Sequence, residues 1–290
     1  MFDITAVVAP QNKGWILDRI AKEVCKRSKN ATICYDNNPH EAKSYFYTHY
    51  TLVPSDVKQN TVAFFTHPSA DITKYVERLR KCTTLVTANE AGVNHLKSNG
   101  MSEDQIKMIP EGADPNVFKS HKRTQNRTVL ISSCYYPRKN AELLLKIISS
   151  CPSWKFKIVG KGWPTNITSL KNVEYYPLSE YHMYPELYSD CNVFLSCAEL
   201  EGGGPNGLIE AMHSNIVPVV SDTGNAREYI FNGHNGFIFE SHADVDLIKH
   251  YIDRAFAIEI DVSKTVADYT WINFSNEIIE YLLPHQISVT

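Results

Sequence analysis

The sequence predicts an α/β protein of two domains, each a parallel sheet carrying helices. Short β-branched runs alternate with helical segments, the pattern of βα units. The alternation breaks once, at the polar, basic and aperiodic stretch 119–127 (KSHKRTQNR), and then restarts. The length of 290 residues makes about two domains at roughly 150 residues each.

The first predicted element is a strand over 4–8. A helix over 15–26 follows, with Ile16, Ile20 and Val24 on one face and Asp18, Lys22 and Lys26 on another. Further strands are predicted over 31–35, 45–48, 61–66, 84–87 and 106–109. Helices are predicted over 72–80 and 90–99, the second stopped by Gly100. Beyond the linker come a strand over 129–132, a helix over 141–149, and strands over 155–159 and 172–175. A helix over 185–190, a strand over 193–196, a helix over 206–213 and a strand over 217–221 follow. Helices over 244–256 and around 274–282 close the chain. The predicted domains are 1–118 and 119–273, with 274–290 as a terminal helix. The expected ligand site is the cleft between the domains.

Composition narrows the function. There are 29 Lys and Arg against 32 Asp and Glu, a net charge of −3, with 43% hydrophobic and 21% charged residues. That is an ordinary globular balance, without the basic stripe of a nucleic-acid binder. No apolar run approaches the ~20 residues of a membrane helix. The opening MFDITAVVAP has no basic segment and carries Asp3, so the expectation is a cytoplasmic protein. The N-x-S/T triplets at Asn30, Asn126, Asn166 and Asn273 then carry no glycan. Seven scattered cysteines with no C-x-x-C read as reduced thiols. Eleven histidines without metal spacing read as a metal-free protein. The basic residues Lys74, Arg78, Arg80 and Lys81 are diluted by Asp71 and Glu77, so at most peripheral membrane contact is expected.

The most informative stretch is 193–240. A buried strand ends at Ser196, three glycines (Gly202, Gly203, Gly204) follow the acidic Glu199 and Glu201, and Pro205 opens a helix. Glycines beside a helix N-terminus admit a ligand close to backbone amides, and the helix dipole favours an anion there. Glu210 lies one turn after Asn206 on the same side and is placed to accept hydrogen bonds from a vicinal diol such as a ribose. Phosphate at the helix start and sugar hydroxyls at the carboxylate suggest a nucleotide-sugar site. The competing reading is a glycine-rich turn with a solvated glutamate.

At these residues the sequence resembles the retaining glycosyltransferases of family 4. They have the GT-B fold, two Rossmann-like domains facing each other across a cleft. The family pattern is met in order by Ser196, Glu201-Gly202, Pro205-Asn206, Leu208, Glu210-Ala211-Met212, Pro218-Val219-Val220, Gly224, Glu228 and Asn235-Gly236. The family's paired glutamates usually enclose seven residues, whereas Glu201 and Glu210 enclose eight. Glu199 instead meets the usual Ser-x-x-Glu spacing, which leaves the first glutamate open between the two.

The resemblance extends outward. VLISSCYYPRKNAELLL is similar to the first donor-domain strand and its basic loop, and Lys139 falls on the lysine that clamps the donor diphosphate. Ser133 and Cys134 stand where the family usually has an arginine, and Arg138 is the candidate to compensate. FKIVGKGW resembles the family's G-x-G strand end, but Gly160 and Gly162 without a third glycine are no dinucleotide fingerprint. VAPQNKGWILDRIAKEV resembles the loop where a glycine meets the donor phosphate. Gly14 is that glycine, and Lys13 stands where a second is common. FFTHP places His67 at a strand end, where the family's histidine contacts the transferred sugar, and His49 in YTHY is similarly placed. IKMIPEGADPNVF resembles the exit from the first domain, and YTWINFSNEIIEYLL the C-terminal helix that returns to brace it.

The resemblance implies transfer of a sugar from a nucleotide-diphosphate-sugar to an acceptor hydroxyl of a sugar, glycolipid or glycan, as in polysaccharide biosynthesis. Anomeric configuration is retained and no metal is required. Lys139, Arg138 and the helix start at Gly204, Asn206 and Gly207 would meet the diphosphate, Glu210 the ribose, and Glu201 (or Glu199) with His67 the sugar. A leaving phosphate oxygen would take the acceptor proton, which fits the lack of an evident base or nucleophile. The rivals are a non-catalytic nucleotide-sugar-binding module, a nucleotide-sugar 2-epimerase and a sugar phosphorylase. A Rossmann dehydrogenase is disfavoured because APQNKGW, not G-x-G-x-x-G, follows the first strand.

Overall fold

The strands Phe2–Val7 (β1), Ala31–Cys34 (β2), Ala42–Tyr47 (β3), Thr61–Phe65 (β4), Thr84–Thr87 (β5) and Ile106–Met108 (β6) pair into one sheet in the order β2-β1-β3-β4-β5-β6. Every pairing is parallel. A parallel sheet is covered on both faces, so its strands are near-continuous apolar runs, and β4 (TVAFF) and β5 (TLVT) are buried at every position. On one face Ile4, Phe46 and Phe64 pack against Ile20 and Val24 of helix α1 (Ile16–Cys25). On the other, Tyr45, Phe65 and Leu85 pack against Leu79 of α2 (Val76–Leu79) and Leu96 of α3 (Glu90–Ser98). The Asn89 side chain caps α3 by accepting from the Gly92 amide at 2.9 Å.

A second all-parallel sheet holds Thr128–Ser132 (β7), Lys155–Val159 (β8), Val173–Tyr176 (β9), Val193–Ser196 (β10), Val217–Ser221 (β11) and Phe237–Phe239 (β12). Its order is β12-β11-β10-β7-β8-β9. Its helices are α4 (Ala141–Ser150), α5 (Thr165–Thr168), α6 (Tyr184–Tyr188), α7 (Asn206–His213), α8 (Ala226–Tyr229) and α9 (Val245–Phe256). The last helix, α10 (Trp271–Leu282), buries Trp271, Phe274, Ile278 and Leu282 in the same core as β1 and α1.

The computed structural model describes residues 1–36, 38–67, 71–177 and 180–284. The chain divides into unit 1, Met1–Gly112 with Thr270–Thr290, and unit 2, Ala113–Tyr269. These boundaries fall earlier than the expected 118/119 and 273/274. The stretch 119–127 is irregular but is no free linker, because its backbone and side chains are bonded into unit 2. The Arg123 guanidinium donates to the Ile258 and Ile260 carbonyls at 2.6 and 2.8 Å, and the Asn192 and Asn215 amides donate to the Thr124 and His121 carbonyls. Gly112 closes unit 1, its Cα lying so close to the Thr270 backbone that a Cβ would stand 2.3 Å from it.

Other differences are local. The helix expected over 72–80 is reduced to α2, because Asp71 accepts from the Thr73 amide and hydroxyl in a turn. Strand β3 begins at Ala42, and the short β12, α5 and α8 have no counterpart among the sequence expectations. All seven cysteines are free thiols, and burial pushes Cys25, Cys82 and Cys197 up to about 12. Among the described residues no helix is long and apolar enough to cross a membrane.

Strand order locates ligand sites. In doubly wound sheets ligands bind beyond the strand C-termini where the order reverses. That point lies between β1 and β3 in unit 1 and between β7 and β10 in unit 2.

Candidate active site

In unit 2 the adjacent strands β7 and β10 end at Ser132 and Ser196, and their following loops are stitched together. The Glu199 amide donates to the Arg138 carbonyl at 2.8 Å, and Arg138 Nε donates to the Leu200 carbonyl at 3.1 Å. A single 3-10 turn, Pro137–Lys139, buries Lys139, and Asn140 then caps α4 by accepting from the Leu143 amide. Glu201 is also buried, and its Oε1 is ion-paired to Lys139 Nζ. Arg138 Nη2 lies 3.5 Å from its Oε2. A buried ammonium is tolerable only beside a counter-charge, so this loop conformation and the pair sustain each other. Glu199 is exposed. Of the two glutamates left open by spacing, Glu201 is the one that meets the basic loop.

Helix α7 starts directly against β7. A Cβ on Gly207 would stand 2.8 Å from the Ser132 carbonyl oxygen and 3.3 Å from the Phe194 ring, so only glycine admits this approach. Gly204 is clamped from the other side. Its carbonyl accepts from the Asn225 amide at 3.4 Å and lies against Gly224, whose φ of +59° and missing Cβ leave room for it. Asn206 Oδ1 is buried and has no hydrogen-bond partner among the described residues. An unmade bond of this kind costs about 1–3 kcal/mol, and it sits at a helix start whose first amides lack intrahelical acceptors.

Glu210 is buried on the same helix. Its Oε1 accepts from the Tyr181 hydroxyl at 2.9 Å and its Oε2 from the Tyr188 hydroxyl at 3.4 Å. Tyr188 is fully buried and its hydroxyl lies 2.7 Å from Ser132 Oγ. Burial, and then the Glu210 charge, hold the Tyr188 hydroxyl well above the usual tyrosine range, so it stays protonated. A crevice between the strand ends is lined by Ser132, Ser133, Lys139, Ser196, Cys197 and Pro205 and backed by Trp163. The Trp163 indole donates to the Ser133 carbonyl at 2.8 Å.

In unit 1, Gly14 follows β1, but its amide donates to Asp18 Oδ2 at 2.8 Å instead of facing a ligand. Asp18 is fully buried and also accepts from Tyr35 at 2.6 Å and Lys22 at 2.8 Å. Burial pushes the Asp18 carboxyl up, but the bonds from Lys22, Tyr35 and Gly14 outweigh it and leave it below the ordinary range. His49 and His67 follow the neighbouring strands β3 and β4, with ring centroids 5.7 Å apart. His49 is half-buried, stacks on Tyr50 at 4.7 Å, and its Nδ1 accepts from the Thr51 amide at 3.3 Å. Burial, then His67, lowers it to about 4. His67 is exposed.

Residues 113–269, more than half of the chain, match the family model described as glycosyl transferases group 1. The chain belongs to the glycosyl transferases group 1 family. Curated protein sequences give no match. Among solved structures, this group 1 glycosyltransferase is similar to Anabaena HepE (Alr3699), with a TM-score of 0.77 at 14% identity over 97% of this chain and 99% of that one. It is similar to the Rickettsia africae glycosyltransferase, with a TM-score of 0.76 at 14% identity over 99% of each chain. It is also similar to the sucrose-phosphate synthase of Thermosynechococcus elongatus, with a TM-score of 0.77 at 10% identity over 97% and 98%. These likenesses establish the fold, the α/β GT-B class with two parallel six-stranded sheets.

Several site residues of this glycosyltransferase escape sequence reasoning. Tyr181 and Tyr188, from the continuous stretch 181–188, meet Ser132 of β7 around Glu210, far from it in sequence. The only signal was the tyrosine-rich run 175–184, which packing explains equally well. Asp18 reads as one polar position of an amphipathic helix, and nothing in that pattern marks it as the anchor of Gly14.

Proposed function

We propose that this group 1 glycosyltransferase moves a hexose from a nucleotide-diphosphate-sugar to an acceptor hydroxyl of a sugar, glycolipid or glycan. Configuration at the anomeric carbon is retained and no metal is used. One observation carries this reading. At a single switch point unit 2 sets Lys139, Arg138, the start of α7 and the buried Glu210 around the ends of β7 and β10. Cations and helix amides suit a diphosphate, and a carboxylate that already accepts hydroxyl hydrogen bonds suits a ribose.

In this mechanism the bond from the anomeric carbon to the diphosphate breaks as the acceptor oxygen bonds to the same face. A phosphate oxygen of the leaving group takes the acceptor proton, so no protein base or nucleophile is required. Lys139 and the first amides of α7 stabilise the charge that develops on the diphosphate. Arg138 takes the part of the arginine replaced by Ser133 and Cys134. Glu201 holds Lys139 in place.

Anabaena HepE has been solved with UDP-glucose and Staphylococcus aureus TarM with UDP, which supports uridine diphosphate as the first nucleotide to test. WaaG is described as involved in lipopolysaccharide biosynthesis, which supports a glycolipid or glycan acceptor. The test is a panel of UDP-hexoses and glycan acceptors in the presence of EDTA, with product configuration read by NMR. Expected are UDP binding by calorimetry, a product anomer matching the donor, no effect of EDTA, and a Lys139→Ala variant whose transfer falls more than its affinity. Donor binding without turnover on any acceptor would leave the binding-module reading, and absence of nucleotide binding would overturn both.

A further inference from the structure

A lysine inside a parallel sheet is out of place, yet β8 reads Lys155, Phe156, Lys157, Ile158, Val159 and leaves only Lys155 exposed. Side chains alternate along a strand. Phe156 and Ile158 therefore join the core beneath α4 and α9, and Lys157 points with Val159 to the opposite face, where α6 and α7 pack. Lys157 is 5% exposed. Its Nζ donates to the Leu187 carbonyl at 3.1 Å, is ion-paired to Asp190 Oδ1, and lies 6.0 Å from the centre of the Tyr176 ring. Burial pushes its pKa down, but the bond to Asp190 outweighs burial and holds it above the ordinary lysine range, so the charge is kept. Both bonds go to the C-terminal end of α6. With five residues that helix is too short to hold itself, and its last carbonyls have no intrahelical partner. The ammonium meets one of them at the negative end of the helix, and Cys191 Sγ adds a weaker bond to the same carbonyl at 3.5 Å. Between Leu187 and Asp190 lies Tyr188, whose hydroxyl is 2.7 Å from Ser132 Oγ and 3.4 Å from Glu210 Oε2. We propose that Lys157 is a positioning residue for ribose recognition: by holding the end of α6 it fixes Tyr188 against Ser132 and Glu210, and so orients the carboxylate that meets the ribose.

This rests on the reading of Glu210 as the ribose acceptor and adds what keeps that carboxylate oriented. Tyr188 reaches Glu210 while α6 keeps its place over β8, and Lys157 sets that place from the sheet itself. A carboxylate already held in one orientation loses little freedom when a ligand binds. Without the ammonium, α6 keeps the apolar contacts of Leu187 and Tyr188 but loses the bonds that fix its register. Tyr188 and Glu210 then have more orientations to lose on binding. The effect belongs to ligands that use Glu210. Lys139 and Arg138 are held by Glu201 and the Leu200 carbonyl, so contacts to a diphosphate are left as they were.

The test is calorimetry of wild type, Lys157→Met, Tyr188→Phe, the double variant and Glu210→Ala with UDP and with 2′,3′-dideoxy-UDP. ADP, GDP and their dideoxy forms replace these probes if UDP gives no heat. Lys157→Met keeps the length of the side chain and removes the charge, and is expected to raise the UDP dissociation constant about tenfold while leaving that of dideoxy-UDP unchanged. A lysine that merely stabilises the fold would weaken both nucleotides alike. Tyr188→Phe is expected to show the same selective loss, and the double variant no more than either single one, because the two changes break one chain of contacts. If Lys157→Met does not fold, Asp190→Asn alters the half-exposed end of the same pair and is expected to raise the UDP constant alone, by about threefold. Unchanged UDP binding in the folded variant, equal weakening of both nucleotides, or additive losses in the double variant would overturn the positioning role while an impaired Glu210→Ala upholds Glu210 as the ribose acceptor. Wild-type affinity in Glu210→Ala would remove the ribose reading and the role of Lys157 with it, as would failure of every nucleotide to bind the wild type.

Discussion

Glu201 and Lys139 show what a buried charge requires of its neighbours. Each is almost fully withdrawn from water, and each is tolerable because the other is there. Replacing Glu201 by Ala therefore leaves the Lys139 ammonium buried without its counter-ion, and a loss of about 3–5 kcal/mol is expected. A diphosphate is the natural replacement anion. UDP should accordingly raise the melting temperature of Glu201→Ala by more than it raises that of the wild type, read by thermal unfolding with and without nucleotide. An equal rise in both proteins would mean that Lys139 does not meet the diphosphate. The same pair separates what spacing can and cannot tell. Ser-x-x-Glu favoured Glu199 and the motif order favoured Glu201. The difference is three-dimensional, since the Glu199 amide and the Leu200 carbonyl are tied to Arg138 and the chain then turns Glu201 inward.

At the scale of the element, the approach of α7 to β7 decides whether unit 2 can present a helix N-terminus at its switch point. Gly207→Ala would place a methyl group 2.8 Å from the Ser132 carbonyl oxygen. The helix must back away, at a cost of roughly 1–3 kcal/mol for overpacking. UDP affinity is expected to fall together with the melting temperature. Unchanged nucleotide affinity in a destabilised Gly207→Ala would dissociate the helix start from binding. Elements of this sort were legible in the sequence where the physics is repetitive. The central strands β4, β5, β7, β10 and β11 are buried on both faces and read as unbroken apolar runs. Helices α1 and α9 carry an apolar stripe of helical period. The three-residue β12 and the four-residue α5 and α8 are too short to express any period. The segment 119–127 misled for another reason. Its polarity is that of a linker, but several of its polar groups and carbonyls are hydrogen-bonding partners of unit 2. The tyrosines around Glu210 were invisible because hydrogen bonding between distant segments leaves no local pattern.

The whole molecule inherits its pH response from groups that folding moves away from water. In unit 1 two of them act in opposite directions. Burial pushes the Glu111 carboxyl up from 4.5 to about 7, while burial and His67 bring His49 down from 6.5 to about 4. Between pH 4.5 and 7 the folded protein keeps a proton on Glu111 that the unfolded chain has released, so this group's contribution to stability falls as pH rises. Between pH 4 and 6.5 the unfolded chain holds a proton on His49 that the folded protein does not, so that contribution rises with pH. The two slopes offset over the shared window and leave unit 1 with a flatter profile than either group alone would produce. Glu111→Gln removes one slope and exposes the other. Its stability relative to the wild type is expected to grow by about 3 kcal/mol from pH 4.5 to 7 and then level off, as followed by denaturant titrations at half-unit steps. A difference between variant and wild type that does not change with pH would mean that Glu111 ionises in the folded state as it does in water.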